Sequence, residues 1–172
     1  MKPKLVLQKG AQSSEWGTPD EVVNFAKDAL GIERFDCDMA THKRWMGGAI
    51  GALPRDCYTL ERPCPKELPR SKYSRVWCNP PAGVEAVRSF WGTWCEALTH
   101  SAQGAFLIYQ IDHWRSLPPP PVNTWCLIWP KRLKFVGASC QANFSSVLVL
   151  TAPPEIGHGN VVEWGPEFSD GY

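Results

Sequence analysis

The sequence lacks any long apolar run. Ala105–Tyr109 is typical of its longest, and none approaches the roughly 18 residues of a membrane-spanning helix. The opening residues offer only Leu5-Val6-Leu7 between lysines, too short for the apolar region of a secretory signal. Net charge is nearly absent, with 18 Lys and Arg against 17 Asp and Glu. There is no internal repeat, and no two cysteines form a Cys-x-x-Cys pair. The 7 cysteines are odd in number, and Cys37, Cys78, Cys95 and Cys126 lie inside apolar runs where a thiol behaves as a small hydrophobe. This usage implies a reducing, cytoplasmic setting rather than a disulfide framework. Cys57 and Cys64 are poorly spaced for zinc, and His42, His100, His113 and His158 show no ligand spacing, so no metal is expected. Asp112-His113 supplies two members of a hydrolytic triad, but no Ser or Cys stands in a nucleophile-elbow context, which excludes a hydrolase.

What remains is a chain the size of one domain. Leu, Ile, Val and Phe make up 38 of its 172 residues, just above the roughly one fifth below which chains tend to disorder. The 14 glycines and 16 prolines mark it as loop-rich. Thr18-Pro19-Asp20-Glu21 reads as a capping box opening a helix with Val22, Phe25, Ala26, Ala29 and Leu30 on one face, ended by Gly31. A strand is expected over Arg34–Met39 and another over Arg75–Cys78, with a second helix over Val84–Thr99 whose tryptophans pack on a sheet. Ala105–Tyr109 and Thr124–Trp129 read as further strands, and Leu133–Val136 with Ser145–Leu150 as a closing pair. This alternation predicts an α/β fold with a mostly parallel sheet and antiparallel carboxyl-terminal strands.

Charge is unevenly placed. Residues 42–75 carry eight basic side chains (Lys43, Arg44, Arg55, Arg62, Lys66, Arg70, Lys72 and Arg75) against three acidic ones, between two slightly acidic flanks. Glycines and prolines make this stretch a long irregular excursion, a form compact domains keep for function or disorder. A loop contacting a polyanion has this pattern, and so does an ordinary solvated loop.

In an open α/β sheet, ligands bind at the carboxyl ends of the strands. Asp36 and Asp38 lie near the end of one strand and Asn79-Pro80-Pro81 at the end of the next. The prolines carry no N–H, and their stiff backbone exposes carbonyl oxygens. The Asn79 side-chain oxygen and the Pro80 carbonyl can together accept both hydrogens of a planar amino group. An arylamine nitrogen is a poor nucleophile because its lone pair is delocalised; two acceptors favour the pyramidal form and free that pair. Asn-Pro-Pro on its own is equally a turn.

The order of blocks adds weight. Trp16-Gly17-Thr18-Pro19, then Phe35-Asp36-Cys37-Asp38-Met39-Ala40, then Val76-Trp77-Cys78-Asn79-Pro80-Pro81 resembles the small phage-type DNA N6-adenine methyltransferases. Leu107–Trp114, Pro130–Phe135 and Asn143–Val147 continue the resemblance, which covers about residues 14–150. It implies a Rossmann-like methyltransferase domain over the whole chain, using S-adenosylmethionine on double-stranded DNA. Carried over by position, Trp16, Thr18, Pro19, Asp36, Asp38 and Asn79 border the cofactor, while Asn79, Pro80 and Pro81 hold the target amino group. Lys43, Arg44, Arg55 and Lys72 in the basic stretch, with Lys131 and Lys134 beyond it, are the expected DNA contacts. So short a chain leaves no room for a recognition domain, so recognition is expected to be short or loose, or aided by a homodimer.

Two features depart from the family. No Gly-x-Gly follows Asp38, and Ala82 replaces the aromatic that usually follows the prolines and stacks on the flipped base. Trp77, Trp114 and Trp45 are the candidate substitutes. The alternatives are an attenuated or non-catalytic binder, or methyl transfer to an RNA base or a glutamine side chain.

Overall fold

The computed structural model describes residues 17–59, 61–65, 73–98, 103–119, 124–151 and 162–163; Trp16 and Lys72 lie outside them. Helix α1 spans Asp20–Leu30 and buries Val22, Val23, Ala26 and Leu30. Phe25 is left 37% exposed and meets Trp129 edge-on, with ring centroids 5.6 Å apart. Gly31 closes the helix in the left-handed conformation at φ 64°, where a side chain would be strained. The predicted capping box does not form. Pro19 is the N-cap, its carbonyl accepts the Val22 and Val23 amides, and no side chain caps the helix. Thr18 sits one residue too early, and its hydroxyl is engaged elsewhere.

Among the described residues the sheet has six strands: β1 (Cys37–Asp38), β2 (Arg75–Cys78), β3 (Gln103–Ile108), β4 (Thr124–Ile128), β5 (Val147–Thr151) and β6 (Val162–Glu163). Their spatial order is β1-β2-β3-β5-β4-β6. The pairings from β1 to β3 are parallel, and β5 lies antiparallel between β3 and β4, so β4 runs with the first three strands. The two-residue β6 is antiparallel to β4. The chain is thus α/β, but the sheet is mixed rather than mostly parallel as expected, since three of its five described pairings are antiparallel; it is compatible with a Rossmann-like fold. No helix among the described residues is long and apolar enough to cross a membrane.

Two strand expectations also need correction. Only Cys37–Asp38 of the predicted strand 34–39 joins the ladder. Leu133–Val136 is not a strand of the sheet: Val136 makes an isolated bridge to Gly17, and β5 pairs with β3 and β4 instead. Leu133 and Phe135 do alternate into the core, but alternation reports a buried face and not which backbone supplies the hydrogen bonds.

The two faces of the sheet carry different cores. Trp77, Leu107, Leu148 and Leu150 point to the α1 side, with Phe35, Leu133 and Phe135. Val76, Cys78, Phe106 and Val149 point to the other side, under helix α2 (Val84–Leu98). There Trp91 and Trp94 pack edge-to-face on Phe106, at 5.1 and 5.4 Å between centroids, as the helical spacing of the tryptophans implies. The α2 helix lies close enough to the sheet that a Cβ on Gly104 would come within 2.7 Å of Leu98 Cδ2 and 3.1 Å of Trp94 Nε1.

The described part of the excursion after β1 is more ordered than its composition suggests. It makes 3₁₀ turns at Lys43–Trp45 and Pro54–Asp56, and Cys57 bridges Asp38 in parallel. Tyr58 N donates to Asp38 O and Thr41 N to Tyr58 O, both at 2.9 Å, which covers the exposed edge of β1. Because Trp94 is fully buried where α2 meets the sheet closely at Gly104, Trp94→Ala should destabilise the fold by about 3–5 kcal/mol, read from urea unfolding.

Candidate functional site

The parallel register of β1 and β2 sets Asp38 opposite Trp77, so Asp38 and Asn79 both emerge at the carboxyl end of the sheet. The entry to α1 crosses the same end. Together they line a cleft of about 540 Å³ that includes Thr18, Pro19, Asp38, Trp45 and Asn79. Asn79 Nδ2 donates to Thr18 Oγ1 at 2.9 Å. Gly17 lets Trp45 approach: a Cβ at position 17 would stand 3.1 Å from the indole ring and 3.2 Å from Val136 Cβ. Arg44 lies over the Trp45 ring, 4.8 Å from its centroid.

Asp38 is the most unusual group here. It is 1% exposed; Oδ1 accepts from Ala40 N at 3.2 Å, and Oδ2 has no hydrogen-bond partner. Burial pushes its carboxyl pKa up to about 7, opposed by the Ala40 amide and the Thr41 hydroxyl. A buried acceptor left unpaired at the wall of a cleft suits a ligand that brings hydroxyl or amine hydrogens.

Pro80 is buried and Pro81 half-buried; neither lines this cleft. Their loop is fastened on its other side, where Gly83 N donates to Tyr109 Oη at 2.9 Å. Tyr109 follows the end of β3, with Phe144 and His113 edge-on at 5.2 and 5.4 Å between centroids. No motif of the sequence marks Tyr109 as a functional residue, although the strand-end rule that selects Asn79 points equally to it. Of the proposed substitutes for the aromatic absent at Ala82, Trp77 is fully buried beneath α1 and Trp114 packs against the α2-side core. Trp45 lines the cleft, and Trp77, though buried, forms part of its wall.

Asp36 does not reach the cleft. It precedes β1, at the opposite end of the sheet, where it accepts from Arg75 Nη2 at 2.6 Å and Nε at 3.1 Å and from Ser74 N at 3.2 Å. Only two residues separate it from Asp38, but along an extended strand that is roughly 7 Å, enough to change ends of so short a strand. Arg55 also lies at that far end, beside a second cavity of about 410 Å³ shared with Asp36, Asp56 and Tyr73.

Among its described residues the basic stretch is therefore not one patch. Arg75 is paired with Asp36, Arg62 donates to the Pro54 and Cys57 carbonyls, and Arg55 stands 3.5 Å from Asp56. Lys43 and Arg44 are exposed at the cleft end. Beyond the stretch, Lys131 pairs with Glu21 at 2.8 Å and Lys134 is exposed. Among the described residues no three His, Cys, Asp or Glu side chains are grouped to hold a metal ion.

The raised Asp38 pKa has a stability consequence. The unfolded carboxyl ionises near its ordinary 3.8 and the folded one near 7, so the folded state holds the proton between those values. The full stability is present below pH 3.8 and is lost as pH rises toward 7. In urea unfolding from pH 4 to 8, the stability of Asp38→Asn relative to wild type should shift in favour of the variant by roughly 3 kcal/mol. No family model, no curated protein and no solved structure matches this chain.

Proposed function

We propose that this chain is an S-adenosylmethionine-dependent methyltransferase acting on the exocyclic amino group of adenine in DNA. The observation that carries the reading is the pairing of two groups on one cleft. Asp38 offers a buried, unpartnered carboxylate oxygen, and Asn79 an amide, from the carboxyl ends of adjacent parallel strands. The α/β sheet agrees with the Rossmann-like class to the level of its mixed strand directions. A cleft of about 540 Å³ is of the size that small cofactors occupy.

The residues fit the cofactor. Asp38 Oδ2 would accept from its ribose hydroxyls or ammonium, with Thr18, Pro19 and Trp45 forming the walls. When bound, S-adenosylmethionine supplies an electrophilic methyl group on a sulfonium. Asn79 Oδ1 and the Pro80 carbonyl would accept the two hydrogens of the target amino group, holding it and favouring the pyramidal nitrogen. The base must leave the duplex to reach them. Tyr109, tied to the same loop through Gly83 N, gives that loop an aromatic neighbour that Ala82 does not supply. Lys43 and Arg44 are the basic residues best placed to meet backbone phosphate at this end of the sheet.

Ala82 favours the rival reading of a binder without turnover, and one experiment separates the two. Wild-type protein incubated with tritiated S-adenosylmethionine and unmethylated DNA should label DNA, and Asn79→Ala should remove the label while calorimetry still records cofactor binding. Label in RNA or protein instead would move the substrate, and binding without label would establish the inert binder. The DNA contacts make a separate prediction. Replacing Lys43 and Arg44 with Ala should lower the slope of log affinity against log salt by roughly 2, whereas Arg55→Ala, at the far end, should leave it unchanged.

A further inference from the structure

We infer that Thr18 is a positioning residue that anchors the nitrogen end of the Asn79 amide and so leaves its oxygen to the target amino group; this rests on the methyl-transfer reading above. A primary amide is asymmetric. Its oxygen accepts and its nitrogen donates, and the two ends exchange by a half-turn about the last side-chain torsion. An amino group entering the site brings hydrogens, so only the oxygen end can hold it; the nitrogen end would set donor against donor. In the structure the nitrogen end is taken, because Asn79 Nδ2 donates to Thr18 Oγ1 at 2.9 Å and Oδ1 is left for the substrate.

With the substrate amino group present, this orientation satisfies both ends of the amide. The reversed one satisfies only the contact to the hydroxyl. Thr18 therefore matters through the amide it holds, and its own oxygen takes no part in the reaction.

The hydroxyl is well fixed for this task. Gly17, on one side, exchanges two backbone hydrogen bonds with Val136, at 2.9 and 2.8 Å. Pro19, on the other, is locked by its ring and by the Val22 and Val23 amides that converge on its carbonyl. A residue preceding proline is confined to extended backbone, and a β-branched side chain has few rotamers. The absent capping bond is part of the same arrangement: a Thr18 hydroxyl turned toward the amides of α1 would not be free for Asn79.

Three variants and one spectroscopic signature test this. Thr18→Val keeps the shape and removes the hydrogen-bonding group; it should lower kcat by about 10- to 100-fold and leave the cofactor Kd within about threefold. Thr18→Ser should recover most of the rate. In an Asn79→Asp background, where either carboxylate oxygen can accept, Thr18→Val should cost several-fold less than in the wild type.

Independently of activity, the Asn79 side-chain amide resonances, assigned by their loss in Asn79→Asp, should show slowed hydrogen exchange. That protection should vanish in Thr18→Val and persist in Thr18→Ser. A Thr18→Val protein with unchanged kcat, or with a raised cofactor Kd and intact kcat, overturns the inference, as does amide protection that survives Thr18→Val. A wild type that labels neither DNA, RNA nor protein removes the methyl-transfer reading and this role with it. An active wild type with an active Thr18→Val removes this role alone.

Discussion

The parallel pairing of β1 with β2 is the constraint on which the site depends. Cys37 stands opposite Val76 and Asp38 opposite Trp77, so both chains leave the sheet at the same end. A one-residue slip would turn Asp38 to the other face and bring Cys37 or Met39 to its place. The register is held from both sides of the strands. Asp36 N bonds to Arg75 O at 2.8 Å before the pairing and Met39 N to Trp77 O at 2.9 Å after it. Burial adds to this, because Trp77 fills the α1 side while Cys37, Val76 and Cys78 fill the α2 side.

The two acidic residues of β1 and its approach illustrate how position alone assigns a role. Asp36 is partly exposed and has three donors, two of them from one guanidinium, so it acts as a clamp between the start of β2 and the residue before β1. Asp38 is buried, has one amide donor, and keeps one oxygen without a partner. A buried carboxylate without a counter-charge is costly, and proteins retain such groups where a ligand completes them. The same logic separates two arginines of the basic stretch: Arg62, whose donors are used by the Pro54 and Cys57 carbonyls, ties the excursion together, whereas Arg44 is exposed at the cleft.

Asn79 sits between two supports with different origins. Its side chain is fastened to Thr18 at the entrance to α1, and the loop that follows it is fastened to Tyr109 at the end of β3. The first contact spans 61 residues and the second 26, so neither is a local turn interaction. Two long-range tethers on a proline-stiffened loop restrict the geometry of the amide and the adjoining carbonyl, the preorganisation that the proposed amino-group activation would use.

The amphipathic stretch after Pro19 and the tryptophans spaced along α2 identified both helices and their buried faces, because helical periodicity is a local property written in successive residues. The apolar runs at 105–109 and 124–129 marked strands for the same reason. Asp38 and Asn79 were legible as candidates from their types and strand-end positions, and Thr18 only through the resemblance. Their assembly was not, since contacts across 61 residues leave no periodic trace. Asp36 was misplaced because a strand written as six residues pairs over only two, which puts the two aspartates at opposite ends. Leu133–Val136 carries the alternation of a strand, yet its backbone partner is Gly17 rather than β5. Side-chain pattern is set by which face is buried, and that much the amino-acid order determined by itself. Which backbone pairs with which, and therefore which polar groups share a cleft, is settled only when the whole chain closes around its two cores.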